Sequence, residues 1–210
     1  MIELACKLCC SYLLGSILGS LVLGRRRGVD IRTLGSGNAG STNALRTQGK
    51  RFALGVVIID AGKGWIATQV IAGAPLGLPG DPMLHAWLPA ACGVAAMLGH
   101  VYPVWYGWRG GKAVATFFGA LCGLAPLLLV PVLLVWLAVT LLTGFVSLAS
   151  MCAALLSPAI VLLAGLSWRS PLFAFAVCAA LLVLFAHRAN LRRLCKRCEP
   201  RALRPWHLKA

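Results

Sequence analysis

Three short polar segments of the chain contain the residue types that bind phosphate. Segment 35–46 has the sequence GSGNAGSTNALR, segment 99–112 has GHVYPVWYGWRGGK, and segment 187–193 has HRANLRR. Together they supply glycines whose backbone N–H groups can approach an anion closely, hydroxyl and amide donors, and fixed cations. Each lies where an apolar stretch ends, and polar groups are costly near lipid. The pattern therefore predicts phosphate chemistry at a membrane surface.

The first segment is predicted to form an anion-binding turn that ends at Arg46. Its donors would be the glycine backbone and neutral side chains, namely Ser36, Gly37, Asn38, Gly40, Ser41, Thr42 and Asn43. The glycine spacing also matches a dinucleotide fingerprint, but that motif follows a β-strand, and here an apolar helix and an arginine cluster precede it. The alternative is that the segment is only a polar surface loop, rich in residues that form turns, and binds no ligand.

The second segment places Gly110, Gly111 and Lys112 directly before an apolar helix. Backbone amides and the helix dipole favour an anion there, and Thr116 adds a hydroxyl one turn further on. The segment is not a Walker A loop, because its glycines are one residue too close and alanine follows the lysine. The alternative is that Arg109 and Lys112 only set membrane topology.

Five other polar residues lie at the ends of apolar segments or inside them. His187 and Asn190 are three residues apart and share a helix face, although a histidine at a helix end is often only interfacial. Pro103 and two nearby tryptophans suggest that His100 is an interfacial anchor. Asp60 and Lys63 are spaced to form an ion pair inside an apolar segment, and a functional and a structural role are both open.

The composition is that of an integral membrane protein. Of 210 residues, 60% are hydrophobic and 12% charged, and the mean hydropathy is +0.84, whereas a soluble domain has about a quarter charged residues. The net charge of +15 comes largely from seven cations in segment 25–51 and eight in the tail from 188. Such clusters follow the positive-inside rule, and without a recognition motif they do not indicate nucleic-acid binding.

Six apolar segments indicate an all-α, polytopic membrane bundle; they are 4–24, 52–73, 86–104, 113–142, 146–166 and 171–187. The basic loop 25–51 and the basic tail, about 188–210, should both be cytoplasmic, so segment 113–142 must cross twice or re-enter. Pro126 is the predicted turning point. We therefore predict about seven transmembrane helices, the N-terminus outside, the C-terminus cytoplasmic, and one domain over 1–210.

Neither the N-terminus nor the cysteines suggest another class of protein. The first apolar segment lacks the basic start and small-residue cleavage site of a secretory signal, so we predict that it is retained. Two small-xxx-small pairs near the end of the first apolar segment predict close helix packing; they consist of Gly15, Ser16, Gly19 and Ser20.

Most of the nine cysteines lie in apolar runs. A zinc site at Cys195, Cys198 and His207 is disfavoured, because structural zinc needs four spaced ligands, and no metal or organic cofactor is predicted.

The polar segments resemble the motifs of the bacterial PlsY family, the integral-membrane acyl-phosphate:glycerol-3-phosphate acyltransferases. Segment 35–46 is similar to the first motif, segment 99–116 to the second, and segment 187–199 to the third, in the same order. Segments 11–16, 60–64 and 146–150 also resemble that family, so the likeness covers nearly the whole chain. Two positions depart from the family pattern: Ala113 and Arg197 stand where glycine is usual.

The resemblance implies transfer of a fatty acyl group from acyl phosphate to the sn-1 hydroxyl of glycerol 3-phosphate, giving lysophosphatidic acid and phosphate, the first step of phospholipid biosynthesis. It implies a site facing the cytoplasm in a bacterial inner membrane, among membrane lipids. The active-site residues carried over are Ser36, Arg46, Lys112, His187 and Asn190. The proton acceptor is either His187 or a substrate phosphate.

Two other classes of protein fit the sequence less well than an enzyme does. An exporter of phosphorylated metabolites would also carry cations in a membrane bundle, but its site usually lies near the midplane between inverted repeats. Here no repeat is visible, and the polar segments cluster at helix ends. A lipid-anchored scaffold would not need three turns rich in glycine, hydroxyls and cations.

Overall fold

A computed structural model describes residues 2–75 and 82–202 of the chain. His207, which belongs to the disfavoured zinc site, lies outside the described residues, as do the end of the basic tail and part of the 74–85 connection. By its contacts the chain divides into two compact units, residues 1–126 and residues 127–210. That the two units together form a single domain over 1–210 stays a prediction.

In the described ranges, all regular structure is helical, which confirms the prediction of an all-helical membrane fold. The first unit contains α1 (Ile2–Gly15), α2 (Gly19–Arg25), α3 (Ser41–Gln48), α4 (Lys50–Ile66), α5 (Pro82–Val101) and α6 (Val114–Leu124). A π-helical turn, Ala67–Ile71, extends α4. Beyond α6 lie α7 (Pro126–Thr143), α8 (Val146–Leu163), α9 (Pro171–Ala186) and α10 (Arg188–Cys195).

Among the described residues, four helices are long and apolar enough to cross a membrane, or six if each bent pair is one span. The bent pairs are α1 with α2, at 51°, and α9 with α10, at 59°. The 11-residue apolar helix α6 is a further candidate for the predicted seven. The number of spans and the side on which each terminus lies stay predictions.

Segment 113–142 divides into two helices at the predicted place. Helix α6 ends at Leu124, Ala125 has φ −157° and ψ 79°, and Pro126 begins α7. A proline is favoured at the first position of a helix, because the N–H group that it lacks has no partner there. The division confirms a helix break at Pro126; that the chain reverses direction there stays a prediction.

Close helix contacts in the first unit depend on glycine. A Cβ atom at Gly15 would collide with the backbone of Ala96 in α5, and one at Gly99 would collide with the carbonyl oxygen of Tyr12 in α1. Helices α1 and α5 therefore touch backbone to backbone. This confirms the packing role that was predicted for the small residues near the end of α1.

Candidate active site

The first polar segment folds around the side chain of Asn43, which is buried. Its Nδ2 group donates to the carbonyl oxygens of Ile31, Leu34 and Asn38 at 2.9–3.0 Å, and its Oδ1 atom accepts from the backbone N–H of Ser36 at 2.9 Å. We predicted that Asn43 binds phosphate. The structure instead directs its polar atoms to the loop backbone, so Asn43 shapes this loop.

The other predicted donors of this segment surround the start of α3. Ser36 and Gly37 are exposed, whereas Asn38, Gly40 and Thr42 are half-buried. Arg46 lies in the last turn of α3 and is exposed. Because α3 begins immediately after Gly40, the backbone N–H groups of its first turn lack helical acceptors and can bind an anion. Their contact with a substrate phosphate stays a prediction.

The second segment corrects the prediction that the Gly110 and Gly111 amides hold a phosphate. The N–H of Gly110 donates to the carbonyl oxygen of Val101 at 3.2 Å, and the N–H of Gly111 donates to that of His100 at 3.0 Å. Each amide has one hydrogen, and each is already bonded to the protein. Glycine is required here for close approach, because a Cβ at either position would collide with His100.

His100 is buried in the protein, so the prediction that it is an interfacial anchor is wrong. It is 3% exposed, and its Nδ1 atom lies 2.8 Å from the Nζ atom of Lys63. Lys63 in turn pairs with Asp60 at 3.0 Å, and both side chains are 2% exposed. The structure therefore contains the buried ion pair that the spacing of Asp60 and Lys63 predicted.

This ion pair also binds the backbone where the first bent pair breaks. The Nζ atom of Lys63 donates to the carbonyl oxygen of Ile17 at 2.7 Å, and Asp60 Oδ1 accepts from the N–H of Gly19 at 3.1 Å. Both backbone groups lie at the break between α1 and α2, where helical hydrogen bonding is interrupted. The pair thus satisfies polar groups that are otherwise costly inside an apolar bundle.

Lys112 and Thr116 flank the start of α6. Lys112 is half-buried, and Thr116 lies in the first turn of the helix. The Thr116 hydroxyl is fully buried and has no hydrogen-bond partner in the part of the chain that the structure describes. Such unsatisfied groups are rare in folded proteins, and this one retains the donor capacity that was predicted for phosphate binding.

The two departures from the family pattern lie at left-handed backbone positions. Ala113, the N-cap of α6, has φ +58°, and Arg197 has φ +54°. Arg197 follows α10 in a Schellman turn, in which the N–H of Cys198 donates to the carbonyl of Arg193 and that of Arg197 to Leu194. A residue with a Cβ pays about 1–2 kcal/mol in this conformation, which explains the glycine usual in the family.

We expect Ala113→Gly to stabilise the protein by about 0.5–1 kcal/mol. The substitution removes the left-handed penalty, and the greater freedom of glycine in the unfolded chain offsets part of that gain. Thermal unfolding in detergent measures the change. The matched control is Ala138→Gly in the middle of α7, which is expected to lower stability by about 1 kcal/mol. A lower midpoint for Ala113→Gly would contradict the assignment of strain.

Arg32, three residues before the first polar segment, binds the backbone of the second. Its guanidinium donates to the carbonyl oxygens of Tyr106 and Arg109 at 2.9 and 3.2 Å, and it forms an ion pair with Asp30 at 2.8 Å. The hydrogen bond from Arg32 holds the pKa of the Asp30 carboxyl below its ordinary value, against a smaller opposing effect of burial. An apolar cluster adds a second connection; it contains Leu18, Leu21, Ala39 and Tyr106.

The third segment begins at the bend between α9 and α10, where His187 is buried. Its Nδ1 atom lies 2.8 Å from the carbonyl oxygen of Val183, which can only accept a hydrogen bond. Nδ1 therefore carries the hydrogen. In the neutral imidazole Nε2 then keeps the lone pair, so the orientation of the ring suits His187 as a proton acceptor at Nε2.

Glu199 holds the tail against two helices of the second unit. Its Oε1 atom accepts from Ser147 at 2.7 Å and from Asn190 at 2.5 Å, and its Oε2 atom accepts from Arg193 at 2.7 Å. Burial alone would raise the pKa of this carboxyl. The three hydrogen bonds and the positive charge of Arg193 together keep the pKa below its ordinary value. Asn190, a predicted catalytic residue, is thus fixed by a carboxylate.

Replacing Glu199 by glutamine should destabilise the second unit by about 1–3 kcal/mol, because an amide NH₂ group then faces a donor. The lowered native pKa means that the stabilisation is complete above the ordinary carboxyl value and is lost as the pH falls through the native value. Unfolding midpoints between pH 3.5 and 7 should fall more steeply for the wild type than for Glu199→Gln. Arg192→Gln, an exposed tail variant, is the control, and equal slopes would contradict this role.

Sequence reasoning found the polar segments but missed several residues that organise them. The structure joins segments 35–46 and 99–112 within the first unit, and it places His187 and Asn190 in the second. That all three act on one pair of substrates stays a prediction. The missed residues are Arg32, His100, Ser147 and Glu199. In the sequence, Arg32 is one of a cluster of cations and Glu199 is the last residue of the third motif, so neither stands out.

The chain is similar to known acyltransferases over most of its length. A family model described as Glycerol-3-phosphate acyltransferase matches residues 5–197. A protein of Synechococcus sp. (strain CC9902) named glycerol-3-phosphate acyltransferase is 43% identical over 191 residues, 90% of each chain. Two crystal structures of PlsY (YgiH), an integral membrane glycerol 3-phosphate acyltransferase, match over 94% of each chain. The glycerol 3-phosphate form has a TM-score of 0.83 at 35% identity, and the lysophosphatidic acid form 0.82 at 34%.

Proposed function

The chain belongs to the glycerol-3-phosphate acyltransferase family, and we propose that it transfers a fatty acyl group from an acyl phosphate to the sn-1 hydroxyl of glycerol 3-phosphate. The products are lysophosphatidic acid and phosphate, so the reaction begins phospholipid synthesis. The observation that carries this proposal is the fold-wide likeness to PlsY, whose crystal structures represent glycerol 3-phosphate and lysophosphatidic acid forms.

Both proposed reactants carry a phosphate group, which accounts for two cationic segments in one unit. We assign one phosphate to Lys112 at the start of α6, where the helix dipole adds to its charge. Arg46 holds the second phosphate or bridges both. The Gly110 and Gly111 amides are bonded to the protein's own carbonyls, so other donors must serve this phosphate; they include the first-turn amides of α6 and the Thr116 hydroxyl.

The proposed chemical step needs positioning more than acid catalysis. The glycerol hydroxyl oxygen attacks the acyl carbonyl carbon, and the bond from that carbon to the phosphate oxygen breaks with its electron pair. Phosphate leaves without protonation, and the hydroxyl proton passes to Nε2 of His187, whose orientation suits this task. Ser36 and Asn190 orient the hydroxyl and stabilise charge on the attacked carbonyl.

We further propose that the protein lies in the bacterial cytoplasmic membrane, with the site facing the cytoplasm. The support is charge: seven cations lie in segment 25–51, which contains the first polar segment, and more follow α9. Positive charge beside membrane helices favours the cytoplasmic side, where anionic lipids attract it.

The donor is tested with purified protein in detergent, labelled glycerol 3-phosphate, and either palmitoyl phosphate or palmitoyl-CoA. We expect labelled lysophosphatidic acid only with palmitoyl phosphate. Lys112→Met is the negative control, because it removes a charge assigned to phosphate and should lower turnover at least 100-fold. Product with palmitoyl-CoA and none with palmitoyl phosphate would overturn the donor assignment.

A further inference from the structure

The tautomer of His100 is set by the hydrogen bonds of Lys63. The ammonium of Lys63 has three hydrogens, and three acceptors surround it: Asp60 Oδ1 at 3.0 Å, the Ile17 carbonyl at 2.7 Å and His100 Nδ1 at 2.8 Å. The distance from Asp60 Oδ1 to His100 Nδ1 is 3.6 Å, beyond hydrogen-bond reach. An ammonium only donates, so Nδ1 accepts, and the imidazole hydrogen lies on Nε2.

The Nε2 atom of His100 faces the glycine pair that precedes Lys112. A Cβ atom at Gly111 would collide with this nitrogen, so the ring lies directly against the Gly111 backbone. The side chain is 96% buried, yet no described residue accepts a hydrogen bond from Nε2. Nε2 is not one of the fully enclosed unpartnered atoms of the described residues, so this fixed donor keeps some exposure, through which a ligand can supply the acceptor.

We propose that His100 is a phosphate-binding residue, whose Nε2–H donates to an oxygen of the phosphate group held at Lys112. The inference rests on the proposed function for the chemical class of its ligand. The Gly110 and Gly111 amides are engaged by carbonyls of the protein, so the phosphate needs other donors. In this proposal, the ion pair of Asp60 and Lys63 keeps the imidazole hydrogen on Nε2, because Lys63 donates to Nδ1.

Two isosteric variants separate the two nitrogens of His100. In His100→Asn, the side-chain oxygen takes the place of Nδ1 and still accepts from Lys63, but the Nε2 donor is lost. In His100→Gln, the amide nitrogen takes the place of Nε2 while the acceptor for Lys63 is lost. We expect His100→Asn to unfold near the wild-type midpoint and His100→Gln to unfold at a lower temperature.

Phosphate affinity is measured from the shift in unfolding midpoint with inorganic phosphate, and the KM for glycerol 3-phosphate is measured alongside. A hydrogen bond to a charged group predicts that His100→Asn weakens phosphate binding and raises KM by about 10- to 100-fold. His85→Gln, at a half-exposed histidine in the same helix, is the control and should change neither. A folded His100→Asn protein with wild-type phosphate affinity would overturn the proposal.

If His100→Asn does not fold, ¹⁵N-histidine NMR of the wild-type protein tests the proposal instead. We expect the hydrogen of His100 on Nε2 and a shift of that resonance with added phosphate. A hydrogen on Nδ1, or no response to phosphate, would refute the inference. The two proposals can fail separately. If the wild type binds phosphate and His100→Asn does not, but the wild type makes no lysophosphatidic acid, only the proposed reaction is contradicted.

Discussion

The Lys63→Met variant should lose about 3–5 kcal/mol of folding free energy, because the substitution removes one half of a buried ion pair. The Asp60 carboxylate keeps its charge without a partner, and the Ile17 carbonyl loses a 2.7 Å hydrogen bond where α1 breaks. Methionine fills a similar volume, so the loss is electrostatic and not a cavity effect. Thermal unfolding in detergent should show a midpoint lower by roughly 10 °C.

The same change at Lys50 is the matched control. Lys50 begins the same helix and is exposed, so Lys50→Met should alter stability by less than about 0.5 kcal/mol. Lys63→Met with the midpoint of Lys50→Met would show that the ion pair contributes no net stability. The double variant Asp60→Asn/Lys63→Met should recover part of the loss, because it removes the unpaired charge. It should not recover all of it, because the Ile17 carbonyl stays unpaired.

The membrane helices were predictable because their physical determinants are local. Apolar length defines a span, and proline cannot continue the hydrogen bonding of a preceding helix, so the break at Pro126 followed from sequence. The break between α1 and α2 did not. It depends on Asp60 and Lys63, which lie about forty residues further on and bind the backbone groups that the break leaves without helical partners. Hydropathy along the sequence therefore predicts one continuous segment, 4–24, where the structure has the two helices α1 and α2.

Site prediction failed where backbone groups find partners within the protein. Glycines beside a lysine before a helix predict an anion site, but the sequence does not show that the carbonyls of His100 and Val101 engage both amides. The polar side chain of Asn43 similarly predicted a ligand contact, whereas four loop groups occupy it. Residue type indicates the capacity to donate, and only tertiary structure shows which acceptor receives the bond.

The assigned role of His187 predicts that His187→Gln lowers kcat with acyl phosphate by 10²- to 10⁴-fold. Glutamine can still hydrogen-bond the glycerol hydroxyl, but it cannot accept a proton near neutral pH. If Nε2 is the acceptor, kcat/KM of the wild type should fall at low pH as the imidazole becomes protonated. That acid limb should be absent from the residual activity of the variant.

His85→Gln provides the control for this experiment, since it makes the same chemical change at a half-exposed histidine in α5 and should keep the wild-type profile. Measuring both variants from pH 5 to 8 at saturating acyl phosphate separates the two proton acceptors left open by the sequence. A substrate phosphate also titrates in this range, with a second pKa of about 6, and it is present whatever residue occupies position 187. An acid limb that persists in His187→Gln at near-normal kcat would therefore assign the proton to the substrate and leave His187 an orienting role.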